Sequence, residues 1–469
     1  MKTIKLAVLF LFLSHNSFAQ CYTTVVSTGN DIIAKRTDGS LWGRGANLTG
    51  NLGNGTTGFV GTLTQIGTDT NWTNTISVGG NNTFAIKTDG TLWVWGKNNG
   101  GSLGLGLTDN TVIVSITQVG IVSTWTKVVT FGRTPLAIKN DGTLWSWGTN
   151  SEGKLGNGNT DNNYQVNVPM QVGAATNWQS VYAGTAGNFA IKTDGTLWSW
   201  GSASPVLLGY PNATINNSYR TPHQVGSDTN WATVSVGSSI TCGIKTDGTL
   251  WAWGSTNFGS ANYLFGNGIE TYTSITPMQI GMDTNWATIS VANYTITAFK
   301  TNGTRWGWGS NSFYELGMGQ DMNAFVTVPT QSDAATDWIY IYGNIGLKQS
   351  NSIFYWLGLY PYGAGLQVNT PTLYGTDCSL AIKDFAVSNI IVYPNPVTAI
   401  ATIRLNETVA NNCEVTVVNN LGQTVYENKK ILLNDANEFL LNMANIPTGV
   451  YTVRIKSNTK VLQTKIIKN

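Results

Sequence analysis

The chain has 469 residues, enough for one large ring of repeats plus a further module. Only 11% are charged, against ~25% in ordinary soluble domains, yet 41% are apolar and there are 18 Trp and 53 Gly, which excludes disorder and long solvated helices and suits short strands joined by Gly-rich turns. Residues 20–384 carry 16 basic and 19 acidic groups, and the chain has two histidines, His15 and His223, which argues against a nucleic-acid partner and a multi-His metal centre.

Residues 1–19, MKTIKLAVLFLFLSHNSFA, read as an export signal. Lys2 and Lys5 precede an apolar run from Leu6 to Leu13, and Ser17 and Ala19 are small residues at a cleavage site before Gln20. The run is far shorter than the ~20 residues that span a bilayer, so no transmembrane segment is expected in the mature chain. Gln20 argues against lipidation of Cys21.

One phrase then recurs: AIKTDGTLWVWG at 85–96, AIKNDGTLWSWG at 137–148, AIKTDGTLWSWG at 190–201, GIKTDGTLWAWG at 243–254 and AFKTNGTRWGWG at 298–309. Weaker copies stand at 34–45 and 346–358. Trp72, Trp125, Trp178, Trp231, Trp286 and Trp338 keep the same period, as do Leu-Gly turns and a Gln-Val/Ile-Gly step. Each unit offers about four strands, and seven units suit a closed β-propeller at 20–384. The Asp-Gly pair predicts a two-residue hairpin turn. With Asp194-Gly195 as that turn, Ile191 faces Trp198 and Phe189 faces Trp200, and Cys242 faces Trp253 as a buried structural thiol. The tryptophans are read as packing between blades.

The phrase with its satellites resembles the regulator of chromosome condensation repeat, a seven-bladed propeller, over roughly residues 22–380. The resemblance implies an all-β propeller and leaves activity open, since the family includes a guanine-nucleotide exchange factor and a secreted β-lactamase inhibitor. The exchange factor's wedge insertion is missing from the third unit here, so nucleotide exchange is not expected.

From 385 to 469 the repeat vanishes and eight basic residues outnumber five acidic ones. Runs at 401, 413, 438 and 450 predict a small β-sandwich. Tyr393-Pro394-Asn395-Pro396, Gly422-Gln423, Gly449 and Tyr451, and a tail ending on Lys465 and Lys468 resemble the type A C-terminal sorting domain of the type IX secretion system of Bacteroidota. The resemblance implies engagement of that machinery and release to the medium or the outer-membrane surface. Export also permits disulfides. Closure of the ring would bring Cys21 beside Cys378, and a Cys21–Cys378 disulfide is expected there; Cys413 is expected inside the sandwich.

Asp38, Asp89, Asp141, Asp194 and Asp247 fall in hairpin turns and are not read as acid–base groups. The recurring Gly-rich segments are read as turns rather than phosphate cradles, so no catalytic residue, cofactor or metal is expected. Arg36, Lys87, Lys139, Lys192, Lys245, Lys300 and Lys348 recur once per unit. They could form an anion-attracting ring, but are read as stems lying beside neighbouring Asp. The loops after Trp-x-Trp-Gly vary most in units four to seven, where Tyr210, Tyr219, Phe258, Tyr263, Phe313, Tyr314, Tyr360 and Tyr362 are candidate ligand anchors. The expected function is a non-enzymatic, secreted or surface propeller that binds an extracellular protein or glycan. A polysaccharide hydrolase or lyase and a structural display module are the alternatives.

Overall fold

A computed structural model of the chain describes residues 22–469 apart from 29, 186, 203–204, 212–218, 256–263, 293, 312–314, 319–324, 343–344, 349–352, 358–367, 374–389, 406–412, 420–422, 432, 435–436 and 457–460. The chain divides into two compact units, Met1–Ser379 and Leu380–Asn469.

Blade 4 shows how the repeat folds. Its strands are Trp178–Gly184, Gly187–Lys192, Leu197–Trp200 and His223–Gln224, hydrogen-bonded in chain order and antiparallel throughout. Among the described residues seven such four-stranded sheets follow one another, opening at Tyr22, Trp72, Trp125, Trp178, Trp231, Trp286 and Trp338. Antiparallel alternation fixes where the loops emerge. Loops joining first to second and third to outer strands share one face, here the upper face. The Asp-Gly hairpins and the linkers between blades share the lower face.

The register differs from the two-residue reading by one position. Ile191 lies opposite Leu197, Ala190 opposite Trp198, and Phe189 opposite Ser199. Lys192 N–H donates to the Thr196 carbonyl at 3.1 Å, and Gly195 N–H donates back to the Lys192 carbonyl at 2.9 Å. The loop is therefore three residues, Thr193-Asp194-Gly195, with Gly195 at φ +77°, the longer of the common hairpin turns. The slip moves every side chain to the other face. Cys242 accordingly lies opposite Ala252, not Trp253, and it is fully buried.

The corrected register explains the packing. Phe189, Ile191 and Leu197 face blade 5, where Trp231 and Trp253 pack against them. Ala190 and Trp200 face blade 3 and join Leu136, Ile138 and Leu144. Small and large side chains thus interlock across each junction at interior density. Phe189 meets Trp253 edge-on at 5.8 Å, and Phe84 meets Trp147 the same way at 5.6 Å. The second Trp of each phrase (Trp95, Trp147, Trp200, Trp253, Trp308) is completely buried. Its indole N–H donates to the preceding blade, as Trp200 does to the Lys154 carbonyl at 3.0 Å. The ring closes through Tyr22, Val25, Ile32 and Ala34 of blade 1 against Ile345 and Leu347 of blade 7. Among the described residues, both blades at this seam are built from four consecutive strands.

The second unit has a three-stranded sheet (Ile390–Tyr393, Ile400–Leu405, Glu438–Asn442) and a four-stranded sheet (Cys413–Asn419, Thr424–Ile431, Gly449–Lys456, Val461–Lys468). They enclose Ile403, Val415, Val417, Leu441, Val453 and Ile466. Cys413 belongs to the same core.

Candidate binding surfaces

The turn carboxylates serve the fold. Asp194 Oδ1 accepts the Thr196 N–H at 3.0 Å and the Thr196 hydroxyl at 2.6 Å, and Thr196 Oγ1 in turn accepts the Trp198 indole N–H at 2.9 Å. The same relay runs through Asp38, Ser40 and Trp42, through Asp89, Thr91 and Trp93, through Asp141, Thr143 and Trp145, and through Asp247, Thr249 and Trp251. Asn302 replaces the acid in blade 6 and keeps the geometry. The donated hydroxyl and amide hold Asp89, Asp141, Asp194 and Asp247 below the ordinary carboxylate range.

The recurring cations are clamped between indoles. Lys87 lies 3.9 Å from the Trp93 ring and 4.9 Å from Trp72, and Lys245 lies 3.6 Å from Trp251 and 5.1 Å from Trp231. Lys87, Lys245, Lys300 and Lys348 also pair with Asp69, Asp228, Asp283 and Asp337 at 2.8 to 3.0 Å. Stems beside acids are therefore found at these four junctions; the indole clamp is a feature that the shared period of both tryptophans does not by itself convey.

Of the proposed ligand anchors, Tyr210 turns inward. It is buried, its hydroxyl donates to the Ser199 carbonyl at 2.6 Å and contacts the His223 carbonyl at 2.9 Å, and it lies 2.8 Å from Ser199 Oγ. Burial raises its phenol pKa. Tyr210 is thus a core residue and not a rim anchor. Tyr219 is half-buried and packs on Tyr210 at 4.4 Å and on His223 at 5.1 Å. Phe258, Tyr263, Phe313, Tyr314, Tyr360 and Tyr362 lie outside the described residues, as do Cys21 and Cys378. The upper face does expose aromatic side chains that the sequence reading passed over. They are Phe59, Tyr164 and Tyr272 in third-to-outer loops, and Phe131 and Tyr294 in first-to-second loops.

In the second unit the predicted landmarks meet. Asn395 Oδ1 accepts the Ile467 N–H at 2.8 Å, Val397 N–H donates to the Ile467 carbonyl at 2.7 Å, and Asn469 N–H donates to the Val397 carbonyl at 2.9 Å. The Tyr393-Pro394-Asn395-Pro396 segment is thereby stitched to the strand that carries Lys465 and Lys468. Pro394 and Pro396 are exposed, and Lys468 is buried with its ammonium on the Asn469 carbonyl. Tyr393 donates to Glu438 Oε1 at 2.7 Å and Tyr451 to the Pro447 carbonyl at 2.7 Å. Gln423 and Asn419 exchange three hydrogen bonds of 2.9 Å; Gly422 lies outside the described residues and Gly449 opens its strand.

Among the described residues no three His, Cys, Asp or Glu side chains group as metal ligands, and no helix is long and apolar enough to cross a membrane.

Comparison with known proteins agrees with both halves. Residues 391–469 match the secretion system C-terminal sorting domain. Residues 141–191, 74–102 and 231–260 match the regulator of chromosome condensation (RCC1) repeat. Similar proteins include the ultraviolet-B receptor UVR8 of Arabidopsis thaliana, 24% identical over 53% of this chain and 55% of that protein. The mitochondrial RCC1 domain-containing protein RUG3 of the same plant is 32% identical over 29% of this chain and 30% of that protein. The chain thus spans about half the length of the first relative and under a third of the second. Among solved structures, human WBSCR16 aligns with a TM-score of 0.60 at 16% identity, covering 69% of this chain and 84% of that one. Prp20p of Saccharomyces cerevisiae aligns at 0.57 and 17% identity, covering 67% and 78%. At such identities the likeness shows the fold.

Proposed function

From a chain that is a seven-bladed propeller of RCC1 repeats ending in a type IX secretion C-terminal sorting domain, and is therefore secreted or held at the cell surface, we propose a non-enzymatic module that binds an extracellular protein or glycan through its upper face. One observation carries this reading. The turn acids of blades 1 to 5 accept from the Thr or Ser that in turn accepts the Trp indole, and the repeated lysines of blades 2 to 6 lie between paired indoles. What differs between blades is the loops, and those of the upper face expose Phe59, Phe131, Tyr164, Tyr272 and Tyr294. Aromatic side chains on a rigid frame lose little conformational entropy on binding and anchor interfaces well. The sequence-based anchors Phe258, Tyr263, Phe313, Tyr314, Tyr360 and Tyr362 belong to loops of the same offset and extend the proposal. Engagement of the type IX secretion machinery is assigned to the C-terminal unit.

The test is capture from the native surroundings and a glycan array, with wild type and a Phe131→Ala/Tyr164→Ala/Tyr272→Ala variant. The reading expects capture by wild type, loss in the variant and an unchanged melting temperature. Polymer cleavage by the purified protein, or undiminished capture by the variant, would overturn it.

A further inference from the structure

Four blade junctions neutralise the repeated lysine, and two do not. Lys87, Lys245 and Lys300 are buried, at 8, 6 and 8% exposure, and each meets the Asp that opens an Asp-Thr-Asn-Trp linker, Asp69, Asp228 and Asp283 respectively. Lys348 meets Asp337 instead. On entry to blade 3 the Asp position is Val122, and on entry to blade 4 it is Ala175. Lys139 and Lys192 keep their indole pairs, at 3.5 and 4.9 Å and at 3.7 and 4.8 Å. Both are half-buried, and neither forms an ion pair among the described residues. The nearby turn acid Asp194 attracts Lys192 at longer range, but its Oδ1 is held by Thr196 and it forms no ion pair with the ammonium.

At blade 4 the missing Asp coincides with a cleft of about 300 Å³, lined by Lys192, Trp178, Trp198, Ala175, Asn157 and Thr221 among others. We propose that this cleft, along the junction of blades 3 and 4 from the lower-face linker at Ala175 to Asn157 and Thr221 of the third-to-outer loops, binds a carboxylated sugar unit of an acidic glycan. The Lys192 ammonium is fixed between two indoles, so an incoming carboxylate gains a charge-assisted bond at little entropic cost. The position that carboxylate would fill is the one Asp228 fills on Lys245, 2.9 Å away. Trp198 is half-exposed and lines the cleft as an apolar wall for a sugar ring, and the Thr221 hydroxyl and the Asn157 amide, whose Oδ1 already accepts from the Asn159 N–H, line it as polar groups. The volume lies at the small end of ligand pockets and admits one sugar ring. A cleft of about 330 Å³ beside Lys300 and Trp338 is a contrasting case, because Asp283 already occupies Lys300 there.

The test titrates the full chain with tri-galacturonate, neutral galactotriose and hexaglutamate by calorimetry. Ala175→Asp copies the linker of blades 2, 5 and 6, and Lys192→Gln removes the charge while keeping most of the stem. The expected result is binding of tri-galacturonate at least about tenfold tighter than galactotriose, with each variant losing about tenfold or more. Ala175→Asp should keep or raise the melting temperature, which separates loss of the site from loss of the fold. No binding, equal binding of galactotriose, hexaglutamate binding as tightly as tri-galacturonate, or undiminished binding in both variants would each overturn the proposal. The upper-face variants do not touch this cleft, so its failure would leave the loop-face reading standing.

Discussion

Gly195 joins blade 4 to Trp231 of blade 5: its carbonyl accepts the Trp231 backbone N–H at 3.1 Å. The same bond links Gly90 to Trp125, Gly142 to Trp178, Gly248 to Trp286 and Gly303 to Trp338. The turn glycine therefore closes its own hairpin and also sets the entry of the next blade. Its φ of +77° and its closeness to the linker both require glycine, since a Cβ there would sit 2.0 Å from the Thr229 carbonyl oxygen. Gly195→Ala should cost more than the ~1–2 kcal/mol of the left-handed conformation alone, because backbone must also move. A urea titration checks this; a loss under 1 kcal/mol would show that the junction is not rigid.

The Asp–Thr–Trp relay predicts a pH dependence. The folded pKa values of Asp89, Asp141, Asp194 and Asp247 lie below the unfolded one. Their contribution is complete above the unfolded pKa of ~3.9 and is lost as pH falls through the folded value. Thr196→Val removes the hydroxyl that donates to Asp194 and accepts from Trp198. It should cost about 1–2 kcal/mol at neutral pH and shrink the further loss between pH 5 and pH 2. Denaturant curves across that range decide the matter, and a parallel pH profile for wild type and variant would remove the relay from the account.

The repeat made the ring legible because both indoles, the turn glycine and the linker tryptophan keep one period in the sequence. The strand register was not legible from Asp-Gly alone. Thr196 settles it, since its carbonyl accepts from Lys192 and extends the loop to three residues. Tyr210 shows a different limit: an aromatic residue in a variable loop looks like a ligand anchor until its hydroxyl is seen bound to Ser199, whose own hydroxyl reaches the Leu208 carbonyl. The missing ion pair of Lys192 was readable as Ala175 standing where the linkers into blades 2, 5 and 6 have Asp69, Asp228 and Asp283. Its meaning needed the indole clamp and the cleft, which sequence period does not convey.

Cys242 should resist alkylation in the native state. It is fully buried opposite Ala252, and burial pushes its thiol pKa upward, so almost no thiolate is present at neutral pH. Mass spectrometry after native iodoacetamide treatment should find it unmodified, and modified after denaturation. Non-reducing peptide mapping of the same sample tests the proposed Cys21–Cys378 disulfide. Cys21 directly precedes Tyr22 of the seam; both thiols alkylated in the denatured, unreduced chain would reject the bond.

Blade 6 solves a packing problem in its own way. Arg305 occupies the fully buried slot held by Leu41, Leu92, Leu144, Leu197 and Leu250. In blades 3 and 4 the hydroxyls of Ser146 and Ser199 donate to the Leu155 and Leu208 carbonyls. Gly307 replaces that serine in blade 6, and Arg305 Nη1 reaches the equivalent Leu316 carbonyl at 2.9 Å, with Nη2 on Gly317 at 3.0 Å. Burial pushes the guanidinium down to about 10, and Asp333 Oδ2 at 3.3 Å opposes that shift. Asp333→Asn keeps Oδ1 as the acceptor for the Ala335 N–H and the Trp338 indole, removes the charge, and turns an amide NH2 toward Arg305 Nε in place of the accepting Oδ2. It should cost on the order of 2–3 kcal/mol, below a fully buried pair because Asp333 is partly solvated. Arg305→Leu removes the buried charge along with its donors and should cost less than Asp333→Asn. Arg305→Leu with Gly307→Ser supplies the hydroxyl used in blades 3 and 4 and should recover part of the difference. Thermal and urea denaturation of the three variants give the order, and an Arg305→Leu loss larger than that of Asp333→Asn would mean that the guanidinium's hydrogen bonds to Leu316 and Gly317 within blade 6, and not its neutralisation by Asp333, dominate its contribution.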